Sequence, residues 1–303
     1  MYLMAVFWLM LAYYSLNRKI VWLYFLAIIL AFNTFYGSVF FVVGLMVYLS
    51  YQKNWQYLLW TVVSLLTAIL IVSPLLMQQW QNSRQVTALV INWKSVLGTA
   101  SLKNLLLIPL KFAIGRISFE PKMAYYLLSG IWAVMVWSCL KWRDSRAILL
   151  VVPIALGLIF SWFTPLLSYF RFLYLIPILS LLIAATKTSW VKIIILAGFI
   201  IFSLVYLLNP HFWREDWQSL AHDLPFKTPV YGITSSLVAL SYYRPDLLIK
   251  ELRTATPVSQ RLLIVPYTVE IYGFDYQTYL TSFGYQRQHQ RTYRQLVLET
   301  WSR

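Results

Sequence analysis

The chain has 303 residues, of which 60 % are hydrophobic and 12 % are charged, and its formal net charge is +15 at pH 7. This composition excludes an ordinary soluble globular domain, in which roughly a quarter of the residues carry a charge. The one cysteine, Cys139, excludes a disulfide bond within the chain.

The excess of basic residues is confined to the first two thirds of the chain. Residues 1–210 contain fifteen Lys and Arg but two acidic residues, whereas residues 211–303 contain ten basic and eight acidic residues. We therefore predict two domains, a multi-pass transmembrane domain over residues 1–208 and an α/β domain over residues 209–303. The basic residues of the first domain lie between apolar segments, which favours membrane lipids over nucleic acid as partners.

Several apolar segments are long enough to be predicted as transmembrane helices. They lie near residues 1–16, 20–33, 34–50, 57–76, 123–140, 147–163, 168–186 and 190–208. The predicted fold class is a membrane all-α protein with about eight transmembrane helices, followed by a small C-terminal α/β soluble domain.

The short connectors between these segments predict the topology. They are residues 17–19, 51–56, 141–146 and 186–192, and together they hold eight basic residues. The positive-inside rule assigns such connectors to the cytoplasm. This assignment predicts a multi-pass protein of the plasma membrane, with an outer loop over residues 77–122 and an extracytoplasmic C-terminal domain.

The outer loop contains an apolar segment of its own. Residues 102–116 are mostly apolar but are interrupted by Pro109, Lys111 and Gly115. We predict a helix that lies along the outer leaflet or dips into it. The alternative is a ninth spanning helix, which would put the C-terminal domain on the cytoplasmic side.

Helical and extended patterns alternate in the C-terminal part. Helices are predicted over residues 212–224, 235–243 and 275–285, and strands over residues 229–234, 261–267 and 294–301. The alternation favours a small, mostly parallel sheet. Because no glycine-rich phosphate loop follows the early strands, the sequence does not support nucleotide binding.

Arg171 is a candidate ligand for a lipid-linked phosphate. It lies near the outer end of the apolar segment 168–186, and its planar, always-charged guanidinium suits phosphate. The alternative is an arginine that snorkels to the lipid head groups. Tyr169 beside it is either a further ligand or an interfacial aromatic residue.

Four further cations flank the apolar segment of the outer loop or lie on it. They are Lys94, Lys103, Lys111 and Arg116. They are candidates for binding a polyprenyl-phosphate head group, and the alternative is a solvated surface that faces anionic lipid.

Candidates for catalysis are scarce. Glu120 is the one acidic residue on the predicted outer side of the membrane domain, and the alternative is a surface ion pair with Arg116 or Lys122. The sequence contains no Ser-His-Asp, HExxH or CxxC constellation. A divalent metal is the one cofactor left open, and no set of metal ligands is predicted.

Several segments resemble the polytopic GT-C-type glycosyltransferases, namely the family 39 and protein-mannosyltransferase-like enzymes. The matching stretches include "LAFNTFYGSVFFVVGLMVYL" (30–49), "IVSPLLMQQWQ" (71–81) and "WREDWQSLAHDL" (213–224). "FRFLYLIPILSLLIAA" is similar to their late helix of R-Y-x-x-P type, with Phe172 in place of the expected tyrosine.

The resemblance implies an enzyme that transfers a sugar from a polyprenyl-phosphate donor to an acceptor at the outer face of the membrane. In such a reaction a carboxylate removes the proton of the acceptor hydroxyl and cations stabilise the departing phosphate. The chain offers several cations for the second role and only Glu120 for the first. The sugar and the acceptor are not identified.

The resemblance also implies an acidic catalytic loop that would precede Met1. Residues 1–16 span about 24 Å as a helix, which is less than a hydrocarbon core of about 30 Å. We therefore expect a chain that starts late, as a truncated gene model, a fragment or a degenerate copy. The alternative function is a non-catalytic protein that handles lipid-linked glycans, such as a flippase, a polymerase partner or a degenerate transferase.

Overall fold

The computed structural model describes residues 2–93, 98–226, 228–255 and 259–303. The chain divides into two compact units. The helical unit comprises Met1–Arg84 and Leu97–Tyr206, and the sheet unit comprises Gln85–Val96 and Leu207–Arg303. Each unit is described by itself.

The helices of the first unit are short, with two exceptions. They are α1 (Tyr2–Arg18), α2 (Val21–Thr34), α3 (Val39–Tyr51), α4 (Trp55–Leu89), α5 (Leu102–Ile114), α6 (Lys122–Ser138), α7 (Ile148–Phe160), α8 (Ile176–Ala184) and α9 (Ser189–Leu208). Short 3₁₀ helices occur at Tyr36–Ser38, Ser145–Ala147 and Tyr169–Leu175. Helix α1 packs against α2, α3 against α7, and α5 against α6.

The prediction of about eight transmembrane helices is wrong. Among the described residues, two helices are long and apolar enough to cross a membrane: Trp55–Ser83 within α4, with 29 residues, and α9, with 20. The helices at the other predicted spans have 9 to 17 residues. At 1.5 Å per residue they measure about 14–26 Å, which is less than the hydrocarbon core of about 30 Å.

Extended or 3₁₀ segments take up part of these apolar runs and shorten the α-helices. Phe35 is extended and Tyr36–Ser38 is a 3₁₀ turn, so α2 ends well before α3 begins. The predicted span 168–186 divides into the 3₁₀ helix Tyr169–Leu175 and the nine-residue α8. The first break lies at the boundary between the predicted spans 20–33 and 34–50, whereas the 3₁₀ form of residues 169–175 gives no hydropathy signal, because these residues are mostly apolar.

Two lysines reverse the chain after short helices. Lys19 follows α1 with φ 58°, and Lys53 follows α3 with φ 57°. Left-handed residues of this kind end helices by letting the next amides bond back to the last carbonyl groups. Here the amide of Ile20 donates to the carbonyl of Ser15 at 2.9 Å.

The sheet unit contains five strands and three helices among its described residues. They are α10 (Trp217–Asp223), β1 (Val230–Gly232), α11 (Val238–Tyr243), β2 (Ile249–Glu251), β3 (Arg261–Val265), α12 (Tyr276–Ser282), β4 (Gln286–Tyr293) and β5 (Leu296–Ser302). Strands occur at the three predicted places, and β2 and β4 were not predicted. The helix predicted over residues 212–224 begins only at Trp217, because Asp216 caps it by accepting the Ser219 amide at 3.2 Å.

The sheet is mixed rather than mostly parallel. Its strand order is β2-β1-β3-β5-β4, with β1 parallel to both β2 and β3 and with β5 antiparallel to β3 and β4. Residues of β1 and β3 alternate between two buried clusters: Val230 and Leu263 pack with α10 and α11, and Tyr231 and Ile264 pack with α12. Helices therefore cover both faces, and the loops at the strand ends remain accessible.

Both long apolar helices are poorly covered by the protein itself. Only 22 % of the most apolar window of α4 and 11 % of that of α9 is buried. The length of α9, about 30 Å, matches the hydrocarbon core. These two helices indicate that the protein associates with a membrane.

Cysteine labelling tests this association. In a Cys139→Ser background, we expect Leu70→Cys in α4 and Leu196→Cys in α9 to resist a charged maleimide in permeabilised membranes and to react in denaturing detergent. The protein leaves 73 % of Leu70 and 60 % of Leu196 exposed, so protection from the maleimide in membranes would come from the surrounding lipid. Gln218→Cys in the sheet unit is the labelled control, and equal labelling of all three cysteines in membranes would contradict membrane insertion.

Candidate functional site

The described part of the helical unit contains an apolar groove between α5 and α6. Its volume is about 800 Å³. It is lined by Lys103, Leu106, Leu107, Pro109 and Leu110 of α5 and by Tyr126, Gly130, Ala133, Val134 and Trp137 of α6. Lys103 is the one charged residue among them, so a single cation stands at the wall of an otherwise apolar groove.

Two tryptophans of α6 fix the spacing of the groove walls. The indole N–H of Trp137 donates to the carbonyl of Pro109 at 3.1 Å, and that of Trp132 donates to the carbonyl of Ala113 at 3.1 Å. Both acceptors lie on the backbone of α5. A buried indole needs an acceptor for its N–H, so these bonds hold the two helices together over more than one turn.

Small residues make the groove deep. Gly130 lies on α6, and a Cβ atom built at this position would meet no atom within 4 Å. Ala133, one turn further along α6, also lines the groove. The empty space beside Gly130 is thus continuous with the groove and is open to an apolar ligand.

The sequence of α5 explains its length and its ends. Ser101 caps the first turn by accepting the Asn104 amide at 3.2 Å, and Gly115 follows the last turn with φ 75°. These are favourable residues for the two ends of a helix. The predicted interfacial segment 102–116 is therefore a helix of 13 residues, which is too short to cross a membrane.

The ammonium group of Lys111 is hydrogen-bonded within the helical unit. Its Nζ donates to the Tyr125 hydroxyl at 2.8 Å and to the carbonyl of Ile117 at 3.2 Å. Burial lowers the pKa of Lys111, and the nearby charge of Arg116 lowers it further. Lys111 therefore stabilises the end of α5 and has less donor capacity left for a ligand than Lys103.

Arg171 lies on the buried 3₁₀ helix Tyr169–Leu175, which contacts α5. Its Nη1 donates to the carbonyl of Pro165 at 2.8 Å, and its guanidinium lies 5.9 Å from the centre of the Phe170 ring. No carboxylate of a described residue lies within ion-pair distance of it. Arg171 is thus a half-buried cation with remaining donors, which suits an anionic ligand.

The structure places the other predicted residues as follows. Tyr169 is half-buried and packs edge-on against Phe170, with ring centres 5.8 Å apart. Arg116 is half-buried just after α5. Lys94 lies outside the described residues.

Glu120 is not part of the groove. Its side chain is 74 % exposed, and it forms a loose ion pair of 3.9 Å with Lys122. Across the described ranges, no group of three or more His, Cys, Asp and Glu side chains is arranged to hold a metal ion. The arrangement therefore suits binding of an amphiphile with an anionic head group, and it assigns no general base.

The sequence analysis did not identify Gly130 and Trp137 of the groove lining, nor Trp132, which ties α6 to α5 beside it. The available signal is the presence of two tryptophans five residues apart and a glycine on one apolar helix. That pattern equally fits an ordinary lipid-facing helix. Only the pairing of α5 with α6 shows that α6 forms a groove wall rather than a surface that faces only lipid.

We expect the two lysines of α5 to differ in their effect on stability. Lys111→Met removes two charge-assisted hydrogen bonds and should lower the free energy of unfolding by about 1–3 kcal/mol. Lys103→Met, at the exposed groove wall, should change it by less than about 0.5 kcal/mol. Thermal unfolding of the purified protein in detergent measures the loss of stability in each variant. Equal losses in the two variants would contradict the conclusion that Lys111 stabilises the fold and that Lys103 does not.

Comparisons with known proteins identify no relative of this chain. No family model, no curated protein and no solved structure matches it. The resemblance to GT-C-type enzymes therefore stays an expectation from the sequence. The geometry of the groove and the environments of its neighbouring cations are the observations on which a functional proposal can rest.

Proposed function

We propose that this chain binds a polyprenyl-phosphate-linked sugar and serves its transfer to an acceptor at the membrane. The observation that carries the proposal is the apolar groove between α5 and α6 with Lys103 at its wall. A polyprenyl phosphate is an apolar chain with a single anionic head group. The apolar lining of the groove suits the prenyl chain, and the Lys103 ammonium group suits the phosphate.

The proposal gives the groove and the cations different roles. The leucines of α5 and the space beside Gly130 accommodate part of the prenyl chain. Lys103 pairs with the phosphate, and Arg171 is the candidate for a second phosphate ligand, because its segment contacts α5 and it has no carboxylate partner among the described residues. The proposal assigns the protein to the plasma membrane, and α4 and α9 are the two helices long and apolar enough to cross it.

In the transfer step the acceptor hydroxyl oxygen forms a bond to the anomeric carbon of the sugar, and the bond from that carbon to the phosphate oxygen breaks. The phosphate leaves with the electron pair, and Lys103 and Arg171 stabilise its charge. The hydroxyl proton passes to a carboxylate. In this proposal that carboxylate is not assigned.

The second candidate function is handling of the lipid-linked glycan without transfer. The position of Glu120 favours it, because this carboxylate is exposed and paired with Lys122 rather than directed at the groove. Under this alternative the same groove presents the lipid-linked sugar to a partner protein.

Binding of radiolabelled undecaprenyl phosphate to the purified protein tests the shared part of both candidates. Lys103→Met should weaken binding about 5- to 30-fold, which corresponds to about 1–2 kcal/mol, and Arg171→Ala should weaken it as well. Gly130→Leu should weaken it at least tenfold by filling the groove. Ser180→Leu adds the same side chain to an exposed position of α8 and is the matched control.

Undecaprenol, which lacks the phosphate, provides the complementary measurement. It should bind equally to the wild-type protein and to Lys103→Met, and it should be excluded by Gly130→Leu. Unchanged binding of undecaprenyl phosphate by all three groove and cation variants would reject the proposal.

Release of mannose from undecaprenyl-phosphate-linked mannose in membranes separates the two candidates. For the transferase, we expect release that Arg171→Ala lowers at least tenfold and that Glu120→Gln changes less than twofold, because Glu120 is exposed. Binding without any release favours the handling protein. Loss of release in Glu120→Gln, with lipid binding intact, would instead identify Glu120 as the general base and contradict its surface role.

A further inference from the structure

The strand order of the sheet unit defines a topological switch point at its carboxyl edge. From β1 the chain connects to β2 on one side, and from β3 it continues to β4 on the other side. The neighbouring parallel strands β1 and β3 are thus the point at which the connections diverge. In open α/β sheets, ligands bind outside the carboxyl ends of the strands at this point.

Hydroxyl groups from both strand ends meet there. Ser236, after β1, shares a hydrogen bond of 2.5 Å with Thr268, after β3. Ser235 shares one of 3.3 Å with the Tyr272 hydroxyl. Four hydroxyl groups from two loops that are more than 30 residues apart in the chain therefore form one cluster.

The backbone at this point is unusually constrained. A Cβ atom at Gly232, the last residue of β1, would lie 2.7 Å from the carbonyl oxygen of Val265, the last residue of β3. Thr268 has a left-handed φ of 65°, which is rare for a β-branched residue. Such strained residues concentrate at ligand sites, where the surrounding structure holds them in place.

The end of β2 adds a balanced pair of charges. Glu251 accepts the Thr234 amide at 3.0 Å and the Nε of Arg253 at 2.6 Å, so both of its carboxylate oxygens are occupied. The Arg253 guanidinium lies 4.4 Å from the centre of the Tyr272 ring. In the described part of the sheet unit, the terminal nitrogens of Arg253 have no hydrogen-bond partner.

We propose that the cluster of Ser235, Ser236, Arg253, Thr268 and Tyr272 at this switch point binds a neutral saccharide. Arg253 provides donors, the four hydroxyl groups provide both donors and acceptors, and a sugar ring presents the same mixture of groups. The Arg253 charge is already compensated by Glu251, which makes the cluster a weak site for phosphate. The proposal concerns the sheet unit and does not rest on lipid binding by the helical unit.

Saturation-transfer NMR on the full chain in detergent tests the proposal. The probes are the methyl glycosides of glucose, galactose, mannose and N-acetylglucosamine. We expect saturable binding of at least one of them, weakened at least tenfold by Arg253→Gln and at least threefold by Ser235→Ala. Ser241→Ala, at an exposed position of α11, should bind as the wild type does.

Two further measurements make the result decisive. Hydrogen exchange of the β1 and β3 amides should be unchanged in Arg253→Gln and Ser235→Ala, which confirms that the sheet is intact. Gly130→Leu should leave glycoside binding unaltered. The absence of binding by all four glycosides, wild-type affinity in Arg253→Gln, or displacement of a bound glycoside by inorganic phosphate at equal concentration would overturn the proposal.

Discussion

The packing of the buried turn Tyr169–Leu175 is the interaction on which the helical unit depends. Phe172, Tyr174 and Leu175 are at most 1 % exposed, and the turn contacts α1, α5, α7 and α8. Gly157 of α7 makes this contact possible, because a Cβ atom there would collide with the Phe172 ring. Burial of each of these large side chains contributes about 1.5–3 kcal/mol, so the turn positions several helices at once.

This packing connects the two parts of the candidate site. Arg171 lies on the same turn, and α5, which contacts the turn, provides one wall of the groove. The tryptophan bonds from α6 then fix the other wall. An apolar groove with Lys103 at its wall matches the anionic lipid proposed above, because an anionic head group gains a charge-assisted hydrogen bond that a neutral head group does not.

The sheet unit is organised by a different constraint, the close approach of the ends of β1 and β3 at Gly232. Hydroxyl bonds between the following loops and the Glu251–Arg253 pair complete that edge. On the neighbouring strand β5, Glu299 pairs with Ile264 of β3, is 2 % exposed and is satisfied by Trp301, Tyr276 and Arg287. A buried carboxylate with this many partners stabilises the sheet and is not free for chemistry.

The amino-acid sequence by itself determined the apolar and basic character of the first two thirds, the helices at 57–76 and 190–208, and strands such as Arg261–Val265. These features follow from composition and local periodicity, which act over neighbouring residues. Only the tertiary structure decided that the other apolar runs form short helices, because segments such as Tyr169–Leu175 adopt a 3₁₀ conformation although they are mostly apolar, like the α-helix that follows. It also decided the mixed sheet, the groove beside Gly130 and the Ser236–Thr268 contact, since each of these depends on residues that are distant in the chain and meet only on packing.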